Sequence, residues 1–128
     1  MILVGDSSSG KTCLIENYLN DEQCPADIRR SHLDRYVAIK TLHDKEIELH
    51  LFDATDDENL VTERQNLYEI IDCFLICVSI SNRRSWDEVS MWKNEIEGRC
   101  PDAPIFLITT KNDLNDYSLE PITDEELQ

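Results

Sequence analysis

The segment Gly5-Asp6-Ser7-Ser8-Ser9-Gly10-Lys11-Thr12 fits the pattern GxxxxGK[ST] throughout, and its residue types suit one task, holding a polyphosphate. Glycines let the backbone curl so that successive N–H groups aim at phosphate oxygens, and a helix opening at Gly10 adds the positive end of its dipole. The Lys11 side chain can reach the β- and γ-phosphates, while the Thr12 hydroxyl falls where Mg²⁺ sits beside them, with water completing the octahedron. The candidate nucleotide contacts are Gly5, Ser8, Ser9, Gly10, Lys11, Thr12 and Cys13. The plain alternative is a Ser/Gly-rich turn between a strand and a helix, with Lys11 facing solvent.

Two further groups fall in suggestive places. Asp53 ends a strand-like run and precedes Ala54-Thr55-Asp56-Asp57-Glu58, the position at which a phosphate-binding-loop protein holds its magnesium-side aspartate. The competing role for an aspartate in such a loop is a helix N-cap. Thr110-Lys111-Asn112-Asp113 closes the last strand-like run, at the carboxyl edge where open α/β sheets bind ligands. A carboxylate at Asp113 can accept from guanine N1–H and from the 2-amino group, donors that adenine lacks. Taken alone, Asn-Asp is ordinary turn chemistry; combined with the phosphate loop, it points to guanine.

The elements that must position these residues alternate along the chain. Met1 to Val4 reads as a buried strand, followed by a helix from about Lys11 to Leu19 with Leu14, Ile15, Tyr18 and Leu19 on one face. A polar loop covers residues 20–34. Arg35 to Leu42 and Ile47 to Phe52 flank the turn His43-Asp44-Lys45-Glu46 and read as a hairpin. A polar loop and a helix to about Ile71 come next, then the buried strand Cys73–Ile80, a helix near Ser85 to Glu97, and the strand Ile105–Thr110. Strands alternating with helices imply an α/β domain with a mostly parallel sheet, helices on both faces and the hairpin as an antiparallel edge.

Composition bounds what this domain does. The 128 residues are 41% hydrophobic and 30% charged, enough for one domain with a real core. A formal net charge of −15 argues against nucleic acid as a partner, because phosphate contacts need clustered Lys and Arg. The basic pairs Arg29-Arg30 and Arg83-Arg84 lie in expected loops and read as solvated surface. Five scattered cysteines without CxxC or Cys/His spacing suit reduced cytoplasmic thiols rather than disulfides or zinc. Cys73 and Cys77 share one face of their strand as small buried hydrophobes. No apolar run approaches a membrane span, and the last four residues hold no prenylatable cysteine, so this chain is expected to carry no membrane anchor.

On these residues the sequence resembles a Ras-superfamily small GTPase, and within it the Rho family. The resemblance runs end to end: GDSSSGKTCL at the phosphate loop, Lys111 and Asp113 in a TKxD guanine motif of the Rac kind, and Trp92 followed by Cys100-Pro101 as in Rho-type proteins. Ser7, where most relatives keep glycine, and Trp92-Lys93-Asn94-Glu95-Ile96 look like the Rnd branch, regarded as GTPase-deficient. The resemblance implies a P-loop fold binding GTP or GDP with Mg²⁺, the metal held by Thr12, Asp53 and Ser31, the last in place of the first switch's threonine. Cys24 falls where an aromatic ring normally packs on the base. Where the family has DTAGQ this chain has Asp53-Ala54-Thr55-Asp56-Asp57, so Asp56 replaces a glycine at the γ-phosphate and Asp57 the water-positioning glutamine.

The same resemblance implies protein effectors and regulators at the switch regions. It also makes the domain over residues 1–128 incomplete: the Rho helical insert is missing between Leu114 and Pro121, and the capping box Thr123-Asp124-Glu125-Glu126 would open a helix that a sixth strand and a final helix follow. The expected function is guanine-nucleotide binding with weak or absent hydrolysis. A nucleotide-free interaction module on the same fold and, less in keeping with TKxD, a P-loop kinase are the alternatives.

Overall fold

The computed structural model describes residues 1–20, 34–54 and 56–111. Its elements are β1 (Ile2–Val4), α1 (Lys11–Asn20), β2 (Asp34–Leu42), β3 (Lys45–Asp53), a 3₁₀ turn (Glu58–Leu60), α2 (Val61–Leu67), a 3₁₀ turn (Tyr68–Ile70), β4 (Phe74–Ser79), α3 (Arg83–Asp87), α4 (Val89–Arg99) and β5 (Ile105–Thr110). The five strands form one sheet in the order β2-β3-β1-β4-β5. Only the β2–β3 pair is antiparallel. The mostly parallel sheet with an edge hairpin is therefore as the sequence implies.

Period-two alternation divides the sheet residues between two faces. Ile2 and Val4 of β1 join Phe74, Ile76 and Val78 of β4 beneath Tyr68, Trp92 and Ile96, so α2 to α4 cover one face. Leu3, Leu51 and Cys77 turn the other way and pack with Ile15 of α1. Leu14 and Leu19 pack partly against that cluster, whereas Tyr18 remains 50% exposed, its ring lying under Lys40 Nζ at 4.7 Å. Toward the amino ends of the strands this face carries an apolar groove of about 270 Å³, lined by Met1, Leu14, Tyr18, Leu49 and Leu75 among others.

Several boundaries differ from the sequence reading for local physical reasons. His43 and Asp44 both take positive φ, 49° and 63°, the geometry of a two-residue hairpin turn. Lys45 and Glu46 are thereby released into β3, opposite Leu42 and Thr41. The helix expected from Ser85 starts earlier, because the Asn82 side chain accepts from the Arg84 N–H at 3.1 Å and caps it. Arg83 and Arg84 thus form the first turn of α3 rather than a loop, each reaching an acidic residue four positions on. α3 ends at Glu88, whose N–H closes its last turn on the Arg84 carbonyl. Cys73 lies just outside β4 and is half-buried, while Cys77 inside it is buried, and burial pushes the Cys77 thiol up to about 12.

A buried ionic cluster fixes α2 against α4. Arg64, 3% exposed, donates from Nε and Nη2 to the two Glu95 carboxylate oxygens, both at 2.9 Å. The Tyr68 hydroxyl donates to the same carboxylate at 2.6 Å, and the guanidinium stacks 4.7 Å from the Trp92 ring centre. Burial would lower the Arg64 pKa, but the Glu95 hydrogen bonds and charge outweigh it and hold the group above its usual range. Burial and the Glu95 contact together raise that of Tyr68. Removing one partner leaves the other charge buried and uncompensated. Glu95→Ala is therefore expected to cost about 3–5 kcal/mol, read as a lower denaturation midpoint at unchanged m-value. A loss within experimental scatter would show that water replaces the carboxylate.

Candidate functional site

The phosphate loop leaves β1 at the centre of the sheet, where neighbouring strands are reached by connections running in opposite directions, and its residues gather at the carboxyl edge. Gly5 has φ +141°, and a Cβ there would meet the Cys77 carbonyl at 2.4 Å. The turn closes through Ser9 N–H to the Asp6 carbonyl at 3.0 Å, reinforced by Ser9 Oγ to the same oxygen at 2.7 Å. Gly10, at φ +83°, then turns the chain into α1. The first helical bond runs from Leu14 N–H to the Gly10 carbonyl, so the N–H groups of Lys11, Thr12 and Cys13 precede any intrahelical acceptor.

Lys11 does not face solvent as the plain alternative required; it is 5% exposed. Its Nζ donates to the carbonyls of Gly5 and Asp6 at 2.8 and 2.7 Å, and lies 3.5 Å from Ser9 Oγ. Burial lowers its pKa, while Asp53, Asp56 and Asp6 pull it back up. A buried cation beside the open end of a helix is a donor set that suits a polyphosphate.

Asp53, at the end of β3, accepts a short hydrogen bond from the Thr12 hydroxyl. The helix-cap role falls instead to Asp57, whose Oδ1 accepts from Asn59 N–H at 2.8 Å and Asn59 Nδ2 at 2.9 Å. Among the described residues no cluster of three or more His, Cys, Asp or Glu could hold a metal by itself. One hydroxyl and one carboxylate at Thr12 and Asp53 suit a hard oxygen-seeking cation if phosphate and water complete the shell.

Other contacts were not legible in the motif. Asp6 is buried and its carboxylate accepts from Asn82 Nδ2 at 3.1 Å and from the hydroxyls of Ser7 and Ser8 at 3.2 and 3.4 Å. Asn82 also reaches Ser8 Oγ at 3.2 Å. Thr110 donates to the Ser9 carbonyl and ties β5 to the loop. Asp56 Oδ2 accepts from the Ser7 N–H at 2.9 Å. Asn82 carries a sequence signal as a helix cap, but nothing local to it indicates a residue 76 positions away. Lys111 follows β5 at φ 58° and is half-buried. Cys24, Ser31, Thr55, Asn112 and Asp113 lie outside the described residues, as does the pair Arg29-Arg30.

Residues 1–128 match the model of the Ras family throughout, and the chain belongs to that family of small GTP-binding signalling proteins. Its members bind GTP and GDP and work through effectors and regulators.

The two loop glycines make different demands on the fold. Gly5→Ala combines a left-handed backbone with a clash against Cys77 O and is expected to cost roughly 2–5 kcal/mol. Gly10→Ala brings its new carbon no nearer than 3.7 Å to Thr110 Oγ1, leaving about 1–2 kcal/mol of backbone strain. Paired denaturant titrations check this; equal costs would mean that the approach of Gly5 to β4 is relaxed in solution.

Proposed function

We propose that the chain is a Rho-like signalling GTPase which binds GTP and GDP with Mg²⁺, hydrolyses GTP slowly or not at all, and presents its switch surfaces to protein effectors in the cytoplasm. The observation that carries the nucleotide reading is the burial of Lys11 at the open end of α1, beside the Thr12–Asp53 pair. In this reading the N–H groups of Ser8 and of Gly10 to Cys13, with Lys11, hold the phosphates, while the Ser9 N–H closes the loop on Asp6, and Lys111 and Asp113 hold guanine. Thr12, Asp53 and Ser31 orient Mg²⁺, which when bound neutralises phosphate charge. Residues 1–128 act as one domain.

The weak-hydrolysis part rests on the second switch. An ionised carboxylate only accepts hydrogen bonds, so Asp57 cannot donate to transferring phosphoryl oxygens, and its Oδ1 is already engaged in capping Glu58–Leu60. Ser7 adds a side chain at the loop where a partner's arginine would approach; such an arginine is worth ~10³–10⁵ in rate.

One set of contacts favours a second reading, a nucleotide-free interaction module: Lys11 and the Ser7 N–H are satisfied by the protein's own oxygens. Denaturing the purified protein and separating what it releases by chromatography distinguishes the two. About one guanine nucleotide per chain is expected; no release, together with no binding in a Mg²⁺-containing titration, selects the module. Asp113→Asn should weaken GTP and improve xanthosine triphosphate binding, and equal affinity of the unaltered chain for ATP would defeat the guanine assignment. In single turnover the chain should stay below the ~10⁻⁴ s⁻¹ of ordinary intrinsic GTPases. Joint replacement Ser7→Gly, Asp56→Gly and Asp57→Gln should recover hydrolysis that Asp57→Gln alone does not, because such groups act as a unit.

A further inference from the structure

The Asp56 carboxylate is an anion already seated on the phosphate loop. Its Oδ2 accepts the Ser7 backbone N–H at 2.9 Å, and its charge acts on the buried Lys11 ammonium together with those of Asp53 and Asp6. The loop's lysine is the group that reaches the β- and γ-phosphates of a bound nucleotide. An outermost phosphate must therefore enter the field that Asp56 occupies, and do so as a second anion. The α- and β-phosphates, cradled by the loop's later N–H groups, need not displace it.

We propose that Asp56 is a specificity-determining residue for phosphate number: its carboxylate, anchored on the Ser7 N–H, already occupies the field of Lys11 that a terminal phosphate must enter, so that the chain favours nucleoside diphosphate over triphosphate. The inference rests on the nucleotide-binding reading above and adds which nucleotide state the site selects. A triphosphate meets one of two costs that a diphosphate escapes. It can expel Asp56 to solvent, which breaks the charge-assisted hydrogen bond to the Ser7 N–H, or leave it seated and bring like charges together beside Lys11. A hydrogen bond to a charged group is worth roughly tenfold to a hundredfold in an equilibrium, so a diphosphate preference of at least ~10-fold is expected. The neighbouring Asp57 does not share this role, since its Oδ1 is bound to Asn59.

The test uses the full chain, saturating Mg²⁺, and fluorescent GDP and a GTP analogue with a non-hydrolysable β–γ bridge as probes, so that turnover plays no part. The unaltered chain should bind the diphosphate at least ~10-fold more tightly. Asp56→Asn removes the charge at constant shape and Asp56→Gly removes the side chain; both should lower the diphosphate-to-triphosphate affinity ratio at least fivefold, chiefly by raising triphosphate affinity. Thermal melts of both variants report that they are folded. A ratio near one in the unaltered chain, or one that neither substitution moves, overturns the inference while leaving nucleotide binding intact. Failure of the unaltered chain to bind either probe overturns both.

Discussion

Lys11 carries a positive charge into an environment where only 5% of the residue meets solvent, and the loop is arranged to make that tolerable. Moving an ion out of water carries an effective penalty of several kcal/mol. Hydrogen bonds to a charged group return roughly 1.5–3 kcal/mol each, which makes the two carbonyls of Gly5 and Asp6 and the flanking carboxylates a match of the right order. Those carbonyls point inward because Gly5 passes close to Cys77, where a side chain would not fit. The loop is thus held by its cation as much as it holds it, and β1, β4 and α1 must all be in register for the arrangement to exist.

Around that centre the fold applies one device repeatedly: a polar side chain from a distant element ends on the loop. Asn82, at the start of α3, reaches Asp6 and Ser8; Thr110, at the end of β5, reaches Ser9; Asp56, beyond β3, reaches Ser7. Three strand ends are therefore tethered to one turn, and a shift in any of them is felt by the backbone N–H groups of the loop. The Arg64–Glu95–Tyr68 cluster performs the corresponding task for α2, fixing that helix to α4. That face is not fully satisfied: Trp92 Nε1 is buried without a hydrogen-bond partner among the described residues. Such a group costs about 1–3 kcal/mol, accepted here for a large indole packed between Arg64 and the core.

The segment after β3 shows how a local rule and a site rule can compete for adjacent residues. Asp56 and Asp57 are both acceptors at the mouth of the loop, yet they take different partners. Asp57 obeys the helix-capping preference of aspartate and serves Glu58–Leu60. Asp56, one residue earlier, turns to the phosphate loop. The capping role that seemed the rival explanation for Asp53 belongs to Asp57, and Asp53 keeps its hydroxyl partner, Thr12.

The phosphate loop was legible in the sequence because its chemistry is contiguous: eight consecutive residues supply the turn, the cation and the hydroxyl. The two-faced sheet was legible from strands alternating with helices and from the continuous apolar runs of β1 and β4, and β5 falls on the residues its apolar run marks. Boundaries governed by a single side chain were less so, as at Asn82, where a cap moved a helix start, and at His43-Asp44, where left-handed backbone shortened a turn. What only the tertiary structure decided is every contact between distant elements: Arg64 to Glu95 between two helices, 31 residues apart, and, at the phosphate loop, Ser7 to Asp56, 49 apart, Asp6 to Asn82, 76 apart, and Ser9 to Thr110, 101 apart. Sequence spacing fixes such pairs no more than it fixes strand order. The three at the loop exist because parallel strands bring their carboxyl ends to one edge, and there short polar side chains find one another across distances that the chain alone does not specify.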